Sequence, residues 1–177
     1  VLTALTVQNS RGLTRVEPVS PLLVRQALQA VLQDGEPAAI KIGLLGSAAV
    51  AREVTHFVAE RRCPVVLDPV LAASNGQRTH DDPCAFAHAL RGLMRHVDVI
   101  TPNLPEALAL LEDAPVSLPA LQALCRGAVV LKGGHTDGTH SIDWVADAQR
   151  STLLAVPRLP VSAHGTGCLY AAALAAG

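Results

Sequence analysis

Residues 164–168 read His-Gly-Thr-Gly-Cys and run directly into an alanine-rich stretch that ends at Gly177. Glycines at the mouth of a helix let backbone N–H groups close around an oxyanion, and the helix dipole favours negative charge there. On residue type alone, Cys168 reads as a nucleophile, a redox centre, a metal ligand, part of an anion hole or a core residue. Gly165, Thr166 and Gly167 read equally as an ordinary glycine turn. A second constellation is Asn103 with Glu106 in "TPNLPEA", at a helix start. Their spacing can put both on one face and offers hard oxygen donors that suit Mg2+ and its water shell. Capping by Asn103 with a first-turn Glu accounts for the same pair. Lys132, between "AVVL" and "GGH", could neutralise phosphate charge. Asp68 ends an apolar run before Pro69, as a site carboxylate or a turn residue. Gln8 ends another, where its amide suits a heterocycle edge or a satisfied buried position.

These residues need a frame to bring them together, and the hydrophobic pattern supplies one. Short apolar runs alternate with longer amphipathic ones. Val1–Asn9 reads as a buried strand. A helix opens at Ser20 as N-cap with Pro21 in its first turn. Ala38–Gly43 is a short strand, and Ser47 caps the next helix. Cys63–Pro69 is a buried strand, and a polar loop leads to a helix opened by Asp82 and Pro83 that ends near Arg95. Val97–Thr101 is a strand followed by the "NLPEALALLE" helix and a short one capped by Ser117. Gly127–Gly134 is a strand with a glycine-rich exit. "IDWVADAQRSTLLAVPR" reads as a β-hairpin before the terminal helix. Alternation of this kind predicts an α/β fold, a mostly parallel sheet covered on both faces. In such sheets ligands bind beyond the carboxyl ends of the strands. The exits are Gln8-Asn9, Gly43–Gly46 (with Lys41 inside the strand), Asp68–Val70, Thr101–Asn103, Lys132–His135 and His164–Cys168. Their gathering at one edge is a stronger signal than any one of them.

The bulk numbers exclude several classes. A chain of 177 residues suits one domain, and with 2 % aromatic residues its core must be aliphatic. Net charge is −1, from 14 basic and 15 acidic residues, so no basic stripe speaks for nucleic acid. No apolar stretch is long enough to span a bilayer and no signal peptide is recognisable, which points to no membrane partner and a cytoplasmic setting. The cysteines show no C-x-x-C pair, and Cys63, Cys84 and Cys125 read as small buried hydrophobes. The histidines have no H-E-x-x-H spacing. There is no G-x-x-x-x-G-K-[ST], and no G-x-G-x-x-G after the first strand.

"VQN", "KIGLL", "VVLDPV", "ITPNLPEA", "VVLKGGH" and "HGTGC" occur in this order across essentially the whole chain. Together they resemble the hydroxymethylpyrimidine/phosphomethylpyrimidine kinases of thiamine biosynthesis, in the ribokinase-like superfamily. The resemblance implies a three-layer α/β/α sandwich with a mostly parallel sheet. It implies ATP-dependent phosphorylation, with Mg2+, of 4-amino-5-hydroxymethyl-2-methylpyrimidine and then its monophosphate. By motif, Gln8 would meet the pyrimidine edge, with Leu44 and Val70 lining the pocket. Asn103 and Glu106 would organise Mg2+, and Asp68, Lys132 and His164 would serve the nucleotide. Gly165, Thr166 and Gly167 would form the anion hole, and Cys168 would be the base. A helix N-terminus lowers a thiol pKa, which predicts an accessible thiolate near neutral pH. Pyridoxal kinases share the "GTGC" site and are the alternative within this class; a non-catalytic ligand-binding remnant and a redox-sensitive Cys168 are the alternatives outside it. Relatives also carry a glycine-rich segment before the first strand seen here and segments after the last helix. The expectation is therefore a single kinase domain over residues 1–177, incomplete at both ends, with a homodimer as the expected assembly.

Overall fold

The computed structural model describes residues 1–9, 11–72, 79–80, 82–112, 114–133, 138–159 and 165–177. Its centre is a six-stranded sheet in the order β3-β4-β5-β6-β7-β8. The strands are β3 (Ile40–Ile42), β4 (Val65–Leu67), β5 (Val99–Ile100), β6 (Ala128–Leu131), β7 (His140–Ala146) and β8 (Ser151–Pro157). The first four run parallel, and β7 and β8 extend the sheet as an antiparallel hairpin. The helices are α1 (Pro21–Asp34), α2 (Ala48–Ala59), α3 (Pro83–Met94), α4 (Leu104–Leu110), α5 (Leu118–Gln122) and α6 (Thr166–Ala176). Each of the first three parallel strands is followed by a helical crossover that steps one place in the same direction. Right-handed crossovers of that kind stack the intervening helices on one face. The main core lies beneath them, with Ile42, Leu67, Ile100 and Val129 from the strands against Val50, Val54, Leu90 and Leu93 from the helices. The terminal helix α6 returns to pack on β3 and β4. Val65, Val66 and Leu67 are all buried, as a strand covered on both faces must be. The expected α/β/α arrangement is the one observed.

Local chemistry sets the helix starts. The Ser47 hydroxyl accepts from Val50 N, the Asp82 carboxylate from Ala85 N and the Ser117 hydroxyl from Ala120 N. Ser20 stands at the N-cap of α1, but its side chain makes no capping bond; Pro21 provides the start signal there.

The N-terminal strand departs from expectation. Ala4–Asn9 (β1) does not enter the central sheet. It pairs antiparallel with Gly12–Pro18 (β2) in a separate two-stranded hairpin, and Leu5 and Val7 are 58 % and 61 % exposed. The expected buried strand is therefore an exposed one, because an apolar run does not say whether its face is covered. The hairpin is anchored at its base. The Thr3 hydroxyl donates to the Leu44 carbonyl. A Cβ on Gly46, whose φ is +76°, would come 2.9 Å from Ala4 Cβ. A second departure concerns the thiols: Cys84 is exposed in the first turn of α3, and Cys63 and Cys125 are only partly buried.

Candidate active site

The carboxyl edge of the parallel strands is held by an extension of their own ladder. Asp68 N donates to Ile42 O and Thr101 N to Leu67 O, both at 2.9 Å, and Lys132 N donates to Pro102 O at 2.8 Å. A parallel bridge joins Asn103 to Lys132. Residues 68, 101–103 and 132 thus leave the sheet in register, which is why side chains far apart in sequence converge.

Asp68 is the hub. Lys132 Nζ lies 2.8 Å from Asp68 Oδ1, with side chains only 14 % and 4 % exposed. The fully buried Thr101 hydroxyl makes a long 3.5 Å contact to the same oxygen. The Asp68 carboxylate is also near enough to the Cys168 thiol to oppose its ionisation. Gly133, the residue after Lys132, donates its N–H to Asp143 Oδ1 at 2.9 Å, and the Asp143 carboxylate also opposes ionisation of the nearby Tyr170 hydroxyl of α6. A Cβ on Gly133 would stand 1.8 Å from the Ile142 carbonyl oxygen, so only glycine fits there. A Cβ on Gly167 would be 3.4 Å from Lys132 Nζ, which puts that ammonium at the first turn of α6. Gly165 occupies the N-cap with φ +82°, a left-handed conformation that favours glycine.

Asn103 and Glu106 form a reciprocal capping box on α4. Asn103 Oδ1 accepts from Glu106 N at 2.9 Å, and Glu106 Oε2 accepts from Asn103 N at 2.8 Å. Glu106 is buried, and its carboxyl is pushed up to about 7. Desolvation is the chief cause and the nearby Asp68 charge adds to it; the Asn103 N–H and Lys132 oppose it. Glu106 Oε1 makes no hydrogen bond with the described residues, so one oxygen remains open for a cation beside Asp68.

The thiolate expectation is corrected here. Partial desolvation pushes the Cys168 thiol above its ordinary value, and the Asp68 carboxylate adds to that. Lys41 and Lys132 pull the other way without prevailing. The Cys168 residue is exposed overall, so the shift comes from partial desolvation of the sulfur and from Asp68.

Asp68, Asn103, Glu106, Lys132, Gly167 and Cys168 thus come together, with Gly165 and Thr166 adjoining. The expected pyrimidine-binding residues do not join this cluster directly. Gln8 is exposed near the tip of the hairpin, about 13 Å along the strand from Ala4. Leu44 lines an apolar cavity of about 290 Å³ with Val24, Leu28 and Val54, on the α1–α2 side. Val70 is partly buried beyond Asp68, its carbonyl taking the Thr79 hydroxyl at 2.9 Å. His164 lies outside the described residues. Asp143 and Tyr170 are site neighbours that sequence reasoning passes over; Thr101 had a signal as a strand exit, and Lys41 as the lone charge in "AAIKIG".

A sequence profile described as "Phosphomethylpyrimidine kinase" matches residues 1–177. The chain belongs to the phosphomethylpyrimidine kinase family. It is 37 % identical over 187 residues to the hydroxymethylpyrimidine/phosphomethylpyrimidine kinase of Escherichia coli K12, covering 99 % of this chain and 70 % of that one. Among solved structures, the phosphomethylpyrimidine kinase of Clostridium difficile 630 superposes with a TM-score of 0.76 at 25 % identity, over 100 % of this chain and 77 % of the other. The pyridoxal kinase of Staphylococcus aureus in complex with AMP-PCP gives 0.82 at 26 %, over 99 % and 67 %. Members of this family are phosphotransferases. Among the described residues, no helix is long and apolar enough to cross a membrane.

Proposed function

We propose that the chain uses ATP to phosphorylate 4-amino-5-hydroxymethyl-2-methylpyrimidine and then the resulting monophosphate, as a cytoplasmic enzyme of thiamine biosynthesis that works as a homodimer. The supporting observation is the convergence of Lys132, Asp68, Cys168 and the glycine-lined start of α6 at one sheet edge, in a chain of this family. Phosphoryl transfer asks a protein mainly for positioning and charge stabilisation.

The residues divide that work. The N–H groups at Gly165–Gly167 receive the oxygens of the transferred phosphoryl group, and the α6 dipole favours them. Lys132, held by Asp68, adds a fixed positive charge at the same place. Cys168 takes the hydroxymethyl proton. Its raised pKa leaves it mainly as the thiol at neutral pH, so it is the minor thiolate form that accepts the proton as the new O–P bond forms. Gln8, Leu44 and Val70 form the pyrimidine site, which requires the β1–β2 hairpin to bring Gln8 toward the sheet edge. His164 and Asp68 complete the nucleotide side. Asn103 and Glu106 fit Mg2+ through the open Glu106 oxygen and bound waters, and a buried acid with a raised pKa gains from such a cation. Mg2+ there would offset negative charge on the nucleotide phosphates.

Coupled ATP turnover with the hydroxymethylpyrimidine and with pyridoxal tests the reading. We expect a higher kcat/KM for the pyrimidine; a clear preference for pyridoxal overturns it.

A further inference from the structure

A charge without a counterpart stands next to this site. On β3, Ile42 belongs to the main core and the partly buried Ile40 packs against it, so Lys41 alternates to the opposite face, level with Val66 on β4. That is where α6 packs on β3 and β4. The Lys41 ammonium folds forward over Gly43, where a Cβ would stand 2.6 Å from Nζ. Gly43 has no left-handed φ, so its backbone does not demand glycine; the ammonium needs the space. Lys132 is paired with Asp68, whereas the Lys41 side chain makes no ion pair or hydrogen bond with the described residues. Its charge nevertheless reaches Cys168. Of the charged groups facing that thiol, Lys41 from β3, Asp68 beyond β4 and Lys132 beyond β6, Lys41 exerts the strongest pull toward the ionised form.

Asp68 and Lys132 offset each other, so Lys41 leaves the surroundings of the Cys168 sulfur with one uncompensated positive charge. Under the function proposed above, on which this inference rests, the first acceptor placed there is a neutral alcohol. The second carries a phosphate on the same carbon, and brings up to two negative charges beside Asp68. We propose that Lys41 is the specificity-determining cation of the second phosphorylation, its ammonium binding the acceptor phosphate of phosphomethylpyrimidine. In that step an ionised oxygen of the acceptor phosphate forms a bond to the γ-phosphorus of ATP. The bond from that phosphorus to the β,γ-bridging oxygen breaks, and its electron pair leaves with ADP. No proton has to be removed from the attacking oxygen, so this step depends on Lys41 more than on the basicity of Cys168.

Lys41→Met, which keeps the apolar stem and removes the charge, tests the assignment in the intact chain. Kinetics with both pyrimidines are paired with calorimetric binding of each in the absence of ATP. The ratio of kcat/KM for the monophosphate over the alcohol is expected to fall about tenfold or more, with a matching loss of monophosphate affinity. Gly43→Ala, which displaces the ammonium without deleting it, is expected to move the ratio the same way by less. Equal losses on both substrates, or no change in the ratio, overturn the proposal. Turnover of neither pyrimidine by the parent overturns the functional reading alone, provided that its binding of the monophosphate still depends on Lys41. Absence of any monophosphate binding by the parent overturns both.

Discussion

Lys132 Nζ and Asp68 Oδ1 meet at 2.8 Å across the end of β5, tying the exit of β6 to the exit of β4. Both side chains are nearly buried, so this is a pair whose members depend on each other. Removing one partner of a buried pair strands the other charge, which costs about 3–5 kcal/mol. Asp68→Ala is therefore expected to lower stability by a few kcal/mol and to raise the KM for ATP, as Lys132 swings out of place. Asp68→Asn is expected to retain more stability, because the amide still accepts a hydrogen bond. Urea denaturation of the three proteins checks the order; coincident midpoints would refute it.

Cys168 carries a prediction about pH. Its thiol is raised above the ordinary value by burial and by Asp68, and the form that accepts a proton is the thiolate. The rate with the hydroxymethylpyrimidine is thus expected to climb with pH through the alkaline range, without a plateau near neutrality. Cys168→Ala is expected to lower kcat by about 10²–10⁴. The rate–pH profile of the parent decides the point: a plateau already reached at pH 7 would mean that the thiol is not the base.

The parallel strands and their exits are legible in the sequence because each is a short apolar run ending in a polar residue or glycine, as in "VVLDP" and "VVLKGG". Ser47, Asp82, Asn103 and Ser117 cap the helices they precede, since capping is a local matter. What lies beyond local pattern is less readable. "VLTALTV" is as apolar as a core strand yet lies exposed in a hairpin, and the Asn9…Gly12 flanks of its turn were the available sign. The Asn103–Glu106 pair supports both the capping and the cation readings, because the capping box uses only one carboxylate oxygen. The direction of the Cys168 shift depends on Asp68, 100 positions away in sequence. No spacing rule connects them.

Gly133 links the site to the β7–β8 hairpin. A methyl group there would stand 1.8 Å from the Ile142 carbonyl oxygen, and backbone on both sides would have to part. Overpacking of this kind costs about 1–3 kcal/mol. Because Gly133 follows Lys132 directly, its N–H is bound to Asp143, and the Lys132 ammonium lies at Gly167, the displacement is expected to reach Lys132 and the start of α6 together. Gly133→Ala should accordingly lose kcat as well as thermal stability. A variant with a lowered Tm but unchanged kcat at low temperature would show that the strut does not serve catalysis.

Glu106 gives a stability prediction whose sign follows from its environment. The carboxyl titrates near 4.5 in the unfolded chain and at about 7 when folded. Below pH 4.5 both states hold the proton, and the group costs nothing. Between 4.5 and 7 the unfolded chain releases it while the folded chain retains it, so stability falls as pH rises. Above that window the deficit is constant, at about 3 kcal/mol. Glu106→Gln keeps an acceptor for the Asn103 N–H and so preserves the capping box, but it cannot ionise. The variant should match the parent in acid and exceed its stability by about 2–3 kcal/mol at pH 8 without divalent ions. Added Mg2+ should raise the Tm of the parent, less so below pH 7 where Glu106 takes up its proton, and leave the variant unmoved. Denaturation curves across pH, with and without Mg2+, measure both effects; parallel curves for the two proteins would show that the Glu106 carboxyl neither opposes folding nor receives the cation.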